Sequence, residues 1–387
     1  MSRSAPRAVV TAVFFAFAIG LGLWAGSIPA LMRQSGLDVA GLGVAITLHS
    51  GAYIAAMAGG GQLARHIAPR RLMLLALLAN LPGFGLLFGA SSPLLLMAAL
   101  MLVGLSSGLL DLAMNTEGTA VERDLGRPVL LSMHAAASAA FALGALAGSL
   151  IAIDGAPRWC ALVVLVVTLP VALAVQRLGP RAPAPEVAAA TPAGPAAAAS
   201  PHWARGILRI GVVLGLTIGA EMAAQMWSAR FLESQAAELA AYAGAGAALF
   251  AGFQVVVRLL GDRLRRLLGD VRVILLSLLL AALGFGTVAS SGWFVQSLAG
   301  FALVGLGTAC VVPCCFAQIA AALPGRGGQA LGRASLISGV IRLPTPMLLG
   351  LIAARQSDAT AFLLIAASLV VGVVGMLMAL RRAAQSG

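Results

Sequence analysis

The chain has 387 residues, of which 60% are hydrophobic and 10% charged, against about 25% charged in an ordinary soluble domain. Its 25 basic residues are all arginine, set against 13 acidic ones, for a formal net charge of +12. A soluble fold of this size cannot hide so much apolar surface, which excludes a soluble enzyme, a disordered chain and a disulfide scaffold; the lack of lysine excludes a P-loop and Schiff-base chemistry. A helical polytopic membrane protein remains, because the apolar runs are too long for the alternating strands of an outer-membrane barrel.

A helix needs about 20 apolar residues to cross the hydrocarbon. That measure predicts twelve spans, at 8–31, 39–64, 72–90, 93–121, 129–152, 158–176, 206–231, 237–260, 272–290, 293–322, 331–354 and 359–380. Arg3 and Arg7 precede the first run as in a signal peptide, but the run continues to Ala30 and Leu31, so the first span is read as uncleaved. Turn residues separate the others, for example Ser91-Ser92-Pro93 and Asp154-Gly155-Ala156-Pro157. Residues 178–204 alternate proline and alanine with little charge, the composition of a flexible tether. The expected organisation is an N-terminal six-helix half at 1–177, a cytoplasmic linker at 178–204 and a C-terminal six-helix half at 205–387. Sliding the chain by 201 positions sets Gly104-Leu105 on Gly305-Leu306, a faint internal echo that agrees with the linker position. Two pseudo-repeated halves around a midplane site is a transporter architecture.

With the N-terminus inside, cytoplasmic ends and loops hold 20 arginines and the opposite side holds 4. Such a bias places both termini in the cytoplasm of a cell (inner) membrane. The arginines sit at the ends of apolar runs, so the positive charge implies topology and no nucleic-acid partner. Cys160, Cys310, Cys314 and Cys315 lie in apolar stretches and read as packing. No metal or other cofactor is expected.

An ionisable side chain inside the bilayer costs about 2.5–3.5 kcal/mol on insertion scales. Spans 3, 6, 9 and 12 have none in their interiors, whereas Asp111 and Glu117 lie in span 4, His134 in span 5, Glu221 in span 7 and Arg342 in span 11. The first group is expected to form an outer layer and the rest to surround a polar cavity. At helical spacing Asp111, Asn115 and Glu122 share one face, Glu117 points elsewhere, and Glu221 and Gln225 share another face. Pro344 and Pro346 should kink span 11 just after Arg342. Asp111, Asn115, Glu117, His134, Glu221, Gln225, Trp227 and Arg342 are the candidate substrate or proton residues, with Asp111 or Glu221 as the expected acidic partner of Arg342. Trp24, Tyr53 and Trp227 offer rings for stacking on a solute or for simple packing.

The loop after span 2 reads GQLARHIAPRRL from Gly61, and the loop after span 8 reads RLLGDRLRRLLG from Arg258. Here the chain resembles the major facilitator superfamily, whose loop signature is Gly, three residues, Asp, a basic residue, any residue, Gly and a basic cluster. Gly61, Arg70 and Arg71 match in the first copy, with Arg65 in place of the Asp, His66 in place of the first base and Ala68 in place of the second Gly. Asp262 and Arg263 match in the second copy, followed by Arg265 and Arg266. The resemblance implies that these residues latch the cytoplasmic side, since an acid can hold a helix terminus and pair with arginine. A narrower resemblance is to the MosC/YbjJ-like branch. Span 4 carries DLAMNTEGTAVERDLGRP from Asp111, followed by His134, and span 7 carries EMAAQMWS from Glu221, where Met222 replaces a Gly and Met226 an Asp. The branch leans towards sugar-like or inositol-like solutes.

The combined reading is a monomeric secondary transporter, not an enzyme, that moves a small solute by alternating access with protons as an expected coupling ion. The rival readings are a proton-driven exporter of drugs or metabolites and a non-transporting scaffold. The arginine bias makes one early prediction: single cysteines placed in the 178–204 linker should be protected from impermeant thiol reagents in intact cells and react after permeabilisation. Labelling from outside alone would reverse the topology.

Overall fold

The computed structural model describes residues 5–64, 66–127, 129–153, 156–179, 201–322 and 327–385. The helices of the first half are α1 (Ala5–Ser35), α2 (Val39–Leu63), α3 (Pro69–Phe88), α4 (Pro93–Leu125), α5 (Leu130–Ala152) and α6 (Arg158–Leu178). The second half has α7 (Pro201–Gln235), a short 3-10 helix (Ala237–Tyr242), α8 (Ala245–Leu268) and α9 (Asp270–Ala289). It continues with α10 (Phe294–Thr308), α11 (Val311–Ala322), α12 (Gly327–Arg342), α13 (Thr345–Arg355) and α14 (Asp358–Gln385). These helices make 12 stretches long and apolar enough to cross a membrane, each matching an expected span to within a few residues. The fold is all-α, as expected. α7 starts at Pro201, inside the expected linker, with proline at the position where a missing N–H costs the helix nothing. The stretch 180–200 of that linker lies outside the described residues.

Two spans are broken. Span 10 divides at Ala309 and Cys310 and span 11 at Leu343 and Pro344. Proline cannot donate to the carbonyl four residues back, and its ring presses on that carbonyl. Pro344 ends α12 as the sequence predicts, and Pro313 does the same to span 10, which was expected to be continuous.

The helix ends give the internal repeat that the residue echo only hinted at. α3 begins at Pro69 and α9 at Asp270; α3 ends at Phe88 and α9 at Ala289; α4 begins at Pro93 and α10 at Phe294. Each pair is 201 apart, so the offset runs through the secondary structure even where identities are sparse.

By packing, the chain falls into two units, Met1–Val187 with Met226–Ala251, and Ala188–Gln225 with Gly252–Gly387. In the first, α1 lies along α5, α2 along α4, and α3 against α4 and α6. Its apolar core includes Val13, Phe14, Met73, Leu110, Met114 and Met133. In the second, Phe362 of α14 stacks on Phe285 of α9 and meets Phe301 of α10 edge-on, at 5.7 and 5.9 Å between ring centres. α7 lays Gly211 and Gly215 against Ile337 and Ile341 of α12. Exposed side chains on α3 and α6 include Leu75, Leu86, Val166 and Leu173, and on α9 and α14 Leu283 and Val371. Leucine and valine there suit a lipid-facing layer.

α2 and α4 touch backbone to backbone. A Cβ on Gly104 would meet the His49 carbonyl and one on Gly108 the Tyr53 carbonyl. In membranes, such close approach through small residues replaces the missing hydrophobic drive. Gly108→Ala should therefore destabilise the protein by about 1–3 kcal/mol, the usual cost of overpacking. Gly85→Ala, whose Cβ would enter open space, should melt as the parent does. Equal melting temperatures for the two variants in thermal unfolding would contradict the close contact.

Candidate functional site

The α2–α4 contact places a hydrogen-bonded chain across the first unit. Tyr53 Oη donates to Asp111 Oδ2 at 2.7 Å. Asn115, one turn further along α4, donates from Nδ2 to Asp111 Oδ1 at 2.9 Å. The Asn115 side-chain oxygen is thereby left as an acceptor, and His134 Nε2 of α5 reaches it at 3.1 Å. That nitrogen therefore carries the hydrogen. Phe14 of α1 meets the His134 ring edge-on at 4.9 Å. On the other side Trp24 of α1 meets the His49 ring at 4.8 Å, and His49 lies 6.3 Å from Tyr53. His49 Nδ1 donates to the Leu100 carbonyl at 3.1 Å. Tyr53, Asp111, Asn115 and His134 are half-buried and Trp24 is buried. Three of the expected residues, Asp111, Asn115 and His134, thus come together on α4 and α5. Tyr53 contributes its hydroxyl as well as its ring.

A second carboxylate lies in the second unit. Gln254 Nε2 of α8 donates to Glu221 Oε1 of α7 at 2.6 Å and to Thr308 Oγ1 of α10 at 3.1 Å. Two acceptors use both hydrogens of the amide. Arg258 is half-buried one turn along α8 from Gln254. Gln254 and Thr308 escape a reading by single spans. The 201 offset finds the first of them, because it sets Tyr53 on Gln254.

The remaining expected residues are dispersed. Gln225 is half-buried one turn after Glu221. Trp227 is fully buried and its indole N–H has no partner among the described residues. Arg342 is half-buried at the last position of α12, where the helix breaks.

Glu117, a candidate substrate or proton residue on another face from Asp111, is set against the gate motif. It is fully buried and takes a hydrogen bond from Arg70 Nε at 2.8 Å, while Arg70 Nη1 donates to the Leu178 carbonyl at 3.1 Å. One guanidinium so ties α3, α4 and the end of α6. Glu122, expected on the Asp111 face, caps α5: its Oε2 accepts from the amides of Val129 at 2.7 Å and Leu130 at 2.9 Å. In the second motif copy Arg265 Nε pairs with Asp270 Oδ1 at 2.7 Å, joining the end of α8 to the start of α9. Gly61, Arg71 and Arg263 are exposed. Arg65 and the Asp262 side chain lie outside the described residues.

The family model described as the Major Facilitator Superfamily matches residues 10–269. The chain belongs to that superfamily. Its relatives within the superfamily include an uncharacterized transporter of Sinorhizobium fredii, 27% identical over 92% of this chain and 93% of the relative. Membrane protein MosC of Rhizobium meliloti is 25% identical over 81% of this chain and 76% of its own length. Among solved structures, the nucleoside transporter NupG matches with a TM-score of 0.77 at 13% identity, covering 97% of this chain and 99% of NupG. The peptide transporter POT in complex with sulfate has the same TM-score of 0.77 at 15% identity, covering 98% of this chain and 94% of POT. At such identities the structures share the superfamily's fold and nothing finer.

The Arg70–Glu117 pair yields a double-mutant forecast. Removing one partner of a buried pair typically costs about 3–5 kcal/mol, because the other charge is stranded. Arg70→Gln should sharply lower expression and melting temperature, and Arg70→Gln with Glu117→Gln should recover much of the loss. Additive losses in thermal unfolding would mean that the two side chains are not coupled.

Proposed function

We propose that this superfamily member is a secondary transporter that carries a small polar solute by alternating access, with Asp111 and Glu221 as contacts for substrate or proton. One observation supports the reading above the rest. Each half carries a mid-span carboxylate held by a hydrogen-bond donor on a neighbouring helix, Tyr53 for Asp111 at 2.7 Å and Gln254 for Glu221 at 2.6 Å. Ionisable groups at that depth are costly and mark substrate and proton paths in transporters. His134, Asn115 and Tyr53 surround Asp111 with groups that both donate and accept, as a hydroxyl-bearing, sugar-like solute needs. The orientation that goes with this reading puts both termini in the cytoplasm of the inner membrane, the chain working as a monomer.

A second reading is a proton-driven exporter of drugs or metabolites. The half-buried ring of Tyr53 beside Asp111 favours it, because it suits a solute with an apolar ring. A non-transporting scaffold would have no use for either carboxylate.

Uptake into proteoliposomes, with and without a pH gradient, tests the proposal. Asp111→Asn and Glu221→Gln keep the shape and part of the hydrogen bonding while removing the titratable charge. Both variants should fold and express normally, and transport or its pH response should fall at least about tenfold, the change expected from one lost charge-assisted contact. Normal transport with an unchanged pH response would remove that carboxylate from the mechanism, and loss of expression would make it structural.

A further inference from the structure

The cytoplasmic end of α8 carries arginines on two opposite faces that have different company. Arg258 and Arg265 face inwards with Gln254 and the buried Gly261, and Arg265 pairs with Asp270. Arg263 and Arg266 are exposed on the other side. At about 100° per residue, Val256, Leu259, Leu260, Arg263, Arg266 and Leu267 fall within an arc of about 120°. The apolar members of that arc are unusually open: Leu259 is 70% exposed and Leu267 69%. Arg272, on the first turn of α9, is exposed as well. Among the described residues, Arg263, Arg266 and Arg272 have no acidic partner. Asp270, the acid between them in sequence, is taken up by Arg265 at 2.7 Å.

We propose that this face of α8, with Arg272, binds an anionic phospholipid. The acyl chains lie along Val256, Leu259 and Leu260, and the headgroup phosphate is held by Arg263, Arg266 and Arg272. The helix sets the spacing: Arg263 is one turn and Arg266 two turns beyond Leu259, about 6 and 10 Å along the axis. That is the step from hydrocarbon to headgroup. Guanidinium groups bind phosphate oxygens in pairs and are weakly hydrated, so they desolvate readily at the interface. Three exposed arginines next to open leucines complement one negative headgroup with two apolar chains. A soluble anion would leave the leucines uncovered, and a neutral lipid would leave the arginines unmatched. The leaflet is the cytoplasmic one under the orientation proposed above, but binding in detergent does not depend on that orientation or on transport.

The test is thermal unfolding of the purified full chain in a neutral detergent, titrated with short-chain phosphatidylglycerol, phosphatidylcholine or glycerol phosphate. Phosphatidylglycerol should raise the melting temperature at low mole fraction, and the other two should not. Each arginine near a charged surface is worth about a fivefold change in affinity. R263Q or R266Q alone should therefore weaken the phosphatidylglycerol effect about fivefold, and R263Q/R266Q/R272Q about a hundredfold. The single variants decide the matter if the triple variant does not fold. Equal stabilisation by phosphatidylcholine overturns the proposal, as does an equal effect of glycerol phosphate, which would indicate a plain anion site. A triple variant that melts low before lipid is added, yet gains from phosphatidylglycerol as the parent does, also overturns it and gives the face to the protein's own packing.

Discussion

A carboxylate inside hydrocarbon has no water to accept hydrogen bonds from, so the protein has to supply every donor. Much of the placement of polar residues in this chain follows from that constraint. Asp111 takes a phenol from α2 and an amide from its own helix. Glu221 takes an amide from α8. Glu117 takes a guanidinium from α3. In each case at least one donor comes from another helix, so the polar residues also fix which helices lie together. The glycines serve the same end, since Gly104 and Gly108 bring α4 against the α2 backbone at His49 and Tyr53, and Asp111 follows Gly108 by just under one helical turn.

Much of the fold is legible in the sequence, because length and hydropathy are direct consequences of crossing a bilayer. The twelve spans, the all-helical class and the break at Pro344 all follow from local rules. The α10–α11 break at Pro313 follows the same proline rule, yet a scan for apolar runs passes over it, since proline interrupts neither length nor hydropathy. Partner choice is less legible. Helical spacing correctly separates Glu117 from Asp111, but it cannot say that Arg70, 47 positions earlier in sequence, meets it. Glu122 shares the spacing of Asp111 and Asn115, and its place in the last turn of α4, just before the turn at Gly126, lets it cap α5 instead. Gln254 and Thr308 carry no charge, so an inventory of ionisable groups misses them. Gln254 emerges only when the repeat offset, visible in helix ends, is carried back onto single residues and sets Tyr53 on it.

α8 shows how one residue type can serve different ends according to face. Its arginines look alike in the sequence RLLGDRLRRLLG and all count equally towards membrane orientation. The helical period separates them. Arg258 and Arg265 lie on the side of Gln254, where Arg265 pairs with Asp270, whereas Arg263 and Arg266 lie on the side of Leu259. Orientation is a property of the loop's summed charge, whereas the contacts are a property of the 3.6-residue repeat. A loop motif read as a string therefore mixes two physical functions that the helix keeps apart.

The same distinction bears on the three carboxylates. Glu117 meets a permanent cation, since arginine stays charged at any accessible pH, and a pair of that kind is bistable only if it breaks. Its place at the junction of α3, α4 and α6 suits a fixed brace. Asp111 is held by a phenol and an amide, and Glu221 by an amide, groups that keep hydrogen bonds with the neutral acid as well as with the carboxylate. Tyr53 can turn its hydroxyl to accept from a protonated Asp111, and the Asn115 oxygen already receives His134. A site that must bind and release a proton or a hydroxyl without tearing the fold needs partners of this second kind. The neutral hydrogen-bond donors on Asp111 and Glu221 are what set them apart from Glu117, whose donor is an arginine.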